Sequence, residues 1–117
     1  MVVEHLARRA EGRRLTVQEV RDALIAWCAV RAEGQIRRAM AFTSPEATDA
    51  EVRRLARQRA RAFFERIASP FEEPTWADLR RVQARMRTWL LPCRAERHAV
   101  HREAALWERL LVGRAWT

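Results

Sequence analysis

Three short stretches of this chain open alike, and they constrain its fold more than anything else in it. They are Thr16-x-x-Glu19-Val20-Arg21, Thr48-x-x-Glu51-Val52-Arg53 and Thr75-x-x-Asp78-Leu79-Arg80. In each, the threonine hydroxyl can accept from the backbone N–H three residues on, while the acidic side chain reaches back to the threonine N–H. This reciprocal arrangement starts a helix. The starts are unequally spaced and the likeness fades beyond the first turns, so shared capping chemistry accounts for it better than a solenoid repeat.

Behind each cap the apolar residues recur at helical spacing. After Thr16, Val17, Val20, Leu24, Trp27 and Cys28 lie along one side. That helix either continues through Gly34 to Phe42 or breaks near Glu33, because a mid-helix glycine costs roughly 1 kcal/mol against alanine. Ser44-Pro45-Glu46 makes a turn, and Thr48 opens a helix in which Val52, Ala56, Phe63 and Ile67 line one side with Leu55 at its edge. Ser69-Pro70 ends it near Ala68. Pro74 and Thr75 start the next, with Trp76, Leu79, Val82, Met86, Trp89 and Leu90 on a broad side, and Pro92 kinks it or separates it from the last. In the final segment Val100, Ala104, Trp107, Leu110 and Leu111 face inward, and Gly113 is a natural stop. Val2 to Ala10 forms a short helix that turns Val3 and Leu6 inward and loosens or stops at Gly12.

No run alternates with period two, and no β-branched cluster is bounded by hairpin turns, so no strand is expected. The expected fold is all-α: one domain, 1–117, a helical bundle of four to five helices, mostly antiparallel. Its parts are a short N-terminal helix or arm over 1–15 and main helices over 16–42, 48–68, 75–91 and 93–112. A chain of 117 residues can bury about two thirds of its unfolded surface, which is enough without a disulfide or metal. Cys28 and Cys93 show no CxxC spacing and sit among apolar neighbours, as small core residues do. Neither a signal peptide nor a membrane span is visible, so no membrane partner and a cytoplasmic location with reduced thiols are expected. No cofactor or metal is expected either, since no ligand set has the required spacing.

Charge carries the functional argument. There are 23 basic residues against 15 acidic, a formal +8, and every basic residue is arginine. Guanidinium forks bind phosphate bidentately and stack on bases; a GC-rich coding bias explains the absence of lysine equally well. Arg53, Arg54, Arg57 and Arg61 share the outward face of one helix, and Arg81 and Arg85 lie outward on the next. If those helices are neighbours, six guanidinium groups form a groove that tracks phosphates without reading bases. Sequence-independent contact to nucleic acid, RNA or DNA, is therefore expected, and a solvated helix face is the plain alternative. In size, charge and helical architecture the chain resembles the small helical subunits of CRISPR effector complexes, which implies a non-enzymatic subunit of a larger ribonucleoprotein, with other protein subunits or copies of itself as partners. The alternative is a protein-interaction subunit, chaperone-like or of phage type, without nucleic acid.

Two further sets stand out. Arg31, Gln35 and Arg38 on one helix, Arg59 and Arg66 on the next, and Glu96 and Glu103 on the last all fall on expected inward sides. Buried charges must pair, bind something or meet another chain. Pairing both glutamates still leaves positive charge, which could hold an anionic small molecule, an arrangement that resembles helical-bundle mutases in architecture. Arg94, His98 and His101 share a polar side of the last helix. An arginine followed after six residues by a histidine resembles the small helical ribonucleases of toxin systems and implies a catalytic pair at a dimer cleft, although Ala95 stands where a polar residue is expected. Exposed histidines are the simpler account. Trp27, Trp76, Trp89 and Trp107 join apolar stripes as core anchors, and Trp116 has no stripe to join.

Overall fold

A computed structural model describes residues 2–68, 73–90 and 97–112. Its described residues form five helices and no strand: α1 Val2–Gly12, α2 Val17–Thr43, α3 Asp49–Ile67, α4 Trp76–Leu90 and α5 Arg97–Val112. All three capping boxes form. Thr16 and Glu19 exchange hydrogen bonds at the start of α2, and Thr48 and Glu51 do so at the start of α3. Thr75 and Asp78 open α4 in the same way, at 2.9 and 3.2 Å. Local chemistry alone sets these three starts.

α2 is the hub. Leu24, Ile25, Trp27, Cys28 and Ala29 are all buried, a broad arc of about 200° at 100° per residue rather than one narrow stripe. α2 lies most extensively on α3 and also contacts α1 and α4, while Trp27 meets Trp107 of α5 with ring centroids 5.9 Å apart. Two ties fix the α2–α3 register. The Arg21 guanidinium sits 5.3 Å from the centre of the Phe64 ring, and Arg37 bonds Asp49 at 2.6 Å. Early residues of α2 therefore meet late residues of α3, so the pair is antiparallel, and Ala29 comes level with Ala56. The small side chains of Ala56 and Ala60, both fully buried, leave α3 flat where it lies against its neighbours.

The helix runs unbroken through Gly34, where a break near Glu33 was the other expectation. Ala32 and Ile36, buried on either side of the glycine, hold the segment in place. Their burial outweighs a propensity cost of about 1 kcal/mol.

The helix pattern holds in α1, α4 and α5. Val3 and Leu6 are buried, as are Leu79, Val82, Met86 and Leu90, and every one of Val100, Ala104, Trp107, Leu110 and Leu111. Trp76 and Trp89 are half-buried, and Trp89 stacks on Phe63 of α3 at 5.2 Å. Cys28 is fully buried, and desolvation pushes its thiol up to about 12, which makes it an inert core residue. Cys93, Pro92, Gly113 and Trp116 lie outside the described residues.

The α1–α2 connection is fastened by charge. Glu19 accepts two hydrogen bonds from Arg13 at 2.8 Å and lies 3.5 Å from Arg9 of α1. The Arg13 bonds, helped by the Thr16 cap, hold the Glu19 carboxyl down at about 2. One glutamate thus caps α2 and anchors α1.

Candidate phosphate-binding face and interior ion pair

The outward face of α3 is fixed by its buried one. Val52, Ala56, Ala60 and Phe64 are buried, with Leu55, Phe63 and Ile67 half-buried beside them. The buried face is therefore centred near Ala56 and Ala60, farther round the helix than the Val52–Leu55–Phe63 edge suggested. At roughly 100° per residue, this shift leaves Arg59 and Arg66 at the edge of the face, between Val52 and Leu55, where long side chains reach water. Both are exposed, so their expected inward placement is corrected. Arg66 satisfies itself on the face of Phe63, 5.6 Å from the ring centre, a cation–π contact on its own helix.

Arg53, Arg54, Arg57 and Arg61 are exposed. Arg53 adds to the field that, together with the Arg37 hydrogen bond, lowers the Asp49 carboxyl. Arg54, Arg57 and Arg61 line one depression of about 350 Å³ with Gln58, Ala62 and Glu65. Among the described residues none of these three arginines lies within ion-pair distance of a carboxylate. No α4 residue lines that depression. Arg81 and Arg85 are exposed on α4, but Arg81 is bound to Asp78, one turn back on its own helix. The free positive charge is therefore densest on α3.

Arg31 and Glu103, both expected to face inward, come together at the centre of the molecule. Glu103 has no solvent exposure, and its Oε1 accepts from Arg31 Nε at 2.5 Å and from Trp27 Nε1 at 3.1 Å. Its Oε2 accepts from Arg31 Nη2 at 2.8 Å. This is a two-point fork in which the carboxylate takes three donors, the geometry that makes a buried pair tolerable. Gln35, one turn further along α2, is half-buried. Arg38 is exposed, which corrects its expected inward placement: Ile36 and Met40, on the opposite side of α2 at roughly 100° per residue, are the residues that turn to the core there. Glu96 and Arg94 lie outside the described residues.

His98 and His101 are exposed on α5, and His101 Nδ1 lies 3.1 Å from Arg87 Nη2 of α4. An arginine donor at Nδ1 leaves that nitrogen as an acceptor, with the ring proton on Nε2. Among the described residues no three His, Cys, Asp or Glu side chains are gathered as a metal would need. No described helix is long and apolar enough to cross a membrane. Spacing arguments passed over one buried polar group. Gln83 is 2% exposed, between Leu79 and Met86 on the inward side of α4, and its Nε2 has no hydrogen-bond partner among the described residues. Its place in the Leu79–Gln83–Met86–Leu90 spacing is the signal that could have found it.

No family model, curated protein or solved structure matches the chain at a level that marks relatedness.

Proposed function

We propose that this chain binds the phosphate backbone of nucleic acid through the arginine face of α3, as a non-enzymatic subunit of a larger ribonucleoprotein assembly. The observation that carries the reading is the cluster Arg54, Arg57 and Arg61, exposed around one depression with no carboxylate paired to any of them among the described residues. Like charges three and four residues apart on a helix oppose each other by about 0.2–0.5 kcal/mol per pair. An array left uncompensated in this way gains from a polyanion that sits across it. Among the described residues no second side chain holds these three guanidinium groups in one direction, so nothing orients them onto base edges and the contact is to phosphate and independent of sequence.

Fluorescence anisotropy with a labelled single-stranded RNA and a DNA duplex, titrated from low to high salt, tests it. Binding weakens with salt, and Arg54→Gln/Arg57→Gln/Arg61→Gln flattens the log–log slope by about 2–3, from roughly 0.7–0.9 for each phosphate no longer neutralised. Circular dichroism of that variant is expected to match the wild type, since the three side chains are exposed. Wild-type binding that ignores salt, or that survives the triple substitution with its slope intact, removes the proposal.

A second reading, docking onto another protein chain, is favoured by Phe42, which is 92% exposed near the free end of α2. Light scattering on Phe42→Ser against wild type separates it: loss of self-association or of complex formation in that variant supports protein docking.

A further inference from the structure

A cleft of about 760 Å³ opens where α1 crosses α2 above the Arg31–Glu103 pair, well within the size of small-molecule sites. Its apolar wall comes from Val2 and Leu6 of α1 and Ala23, Trp27 and Val30 of α2. Val30 is 51% exposed there, one of few large apolar side chains the described residues leave bare. The cleft lies apart from the arginine face of α3 and shares no lining residue with it.

Its charges decide what it would take. Three carboxylates line it, and each already has a cation of the chain beside it. Glu103 is forked by Arg31, and Glu19 is bound by Arg13 and Arg9. Asp22 accepts from the Gln18 amide at 3.0 Å and lies 3.3 Å from Arg21. On the positive side, Arg8 of α1 also lines the cleft, and no carboxylate lies within ion-pair distance of it among the described residues. His5 lines the cleft one turn before Arg8. The balance is an apolar wall with one uncompensated guanidinium at its edge.

We infer that this cleft is a binding site for a small amphipathic organic anion, an aliphatic or aromatic body carrying one carboxylate, phosphate or sulfonate. The body lies against Trp27, Leu6 and Val30 and covers the bare valine. The anionic group meets Arg8, whose planar fork suits two acceptor oxygens. A cationic amphiphile finds every carboxylate of the cleft already neutralised, and a neutral one leaves Arg8 unused. This site goes beyond the phosphate-backbone reading and does not depend on it.

Calorimetric titration with decanoate, decanol and decyltrimethylammonium, each below its micelle concentration, tests the inference. Decanoate is expected to bind saturably at one site and to move the indole N–H resonance of Trp27, assigned by its loss in Trp27→Phe. The alcohol and the cation bind about tenfold more weakly, the size of one charge-assisted contact. Arg8→Gln brings decanoate down to the level of decanol. Ala23→Trp fills the cleft and abolishes binding; should that variant fail to fold, Val30→Asp places a fixed negative charge at a half-exposed position and must weaken decanoate selectively. The α3 triple glutamine variant keeps full decanoate affinity, which separates this site from the nucleic-acid reading. Equal affinity for the three amphiphiles, or decanoate binding untouched by both Arg8→Gln and Val30→Asp, overturns it.

Discussion

Arg31 gives a two-point fork to Glu103, a carboxylate with no solvent exposure, whereas Arg57, on the neighbouring helix, lies exposed beside Arg54 and Arg61 with no carboxylate within ion-pair distance among the described residues. The residue type is the same in both places, and its work is opposite. At the centre, desolvation makes each charge depend on the other, so the pair specifies how α2 and α5 meet. On α3, water solvates each guanidinium, so the row adds nothing to folding and remains available to a ligand. Arginine count alone therefore says little about function. What matters is which arginines have been given a partner.

The sharpest way to break this comparison is to remove one partner of the buried pair. Arg31→Ala leaves Glu103 buried and uncompensated and is expected to cost about 3–5 kcal/mol in urea unfolding. Glu103→Ala should cost less, because the Arg31 side chain keeps 18% of its exposure and can turn toward water. The double substitution Arg31→Met/Glu103→Leu is expected to recover most of the loss. Equal costs for the two single substitutions would show that burial is not what separates Arg31 from the arginines of α3.

A smaller effect lies between the two regimes. Gly34 sits on α2 between the half-buried Arg31 and the exposed Arg38, and a Cβ built there meets no atom within 4 Å. Gly34→Ala is expected to stabilise by about 0.5–1 kcal/mol, read from the same unfolding curves. A loss of stability would mean that the helix needs freedom at that point.

The smallest effect belongs to the exposed row. Arg57→Gln relieves like-charge neighbours at Arg53, Arg54 and Arg61 and should raise thermal stability by about 0.2–0.5 kcal/mol per pair at low salt. The gain vanishes when salt is added. A clear destabilisation in that variant would reveal a structural partner for Arg57 and move it into the class of Arg31.

Much of this architecture was legible before any coordinates, and the reason is locality. The caps at Thr16, Thr48 and Thr75 are decided within four residues, and the stripes on α4 and α5 carry large apolar side chains that fix their own phase. α3 was harder. Its true inward row contains two alanines, which are weak markers, and the face it buries is chosen by α2 rather than by its own strongest hydrophobes. Arg59 and Arg66 fall on the wrong side for that reason, and Arg38 because the buried row of α2, Leu24, Cys28, Ala32 and Ile36, steps in fours and drifts round the helix away from it. Arg31 and Glu103 were each recognised as inward charges, but their union spans 72 positions and is a property of packing. The α1 cleft is hidden for the same cause: His5, Arg8 and Glu19 come to line one cavity only when α1 folds back over α2.

The central position of α2 has a consequence for how the molecule comes apart. Every other helix meets it, α3 most extensively and α5 through Trp107 and Glu103, so disorder in α2 takes a neighbour from all of them at once. A chain built in this way has little scope for melting piece by piece. It is expected to pass between ordered and disordered states in a single cooperative event, with the indole pair at its centre reporting on the whole.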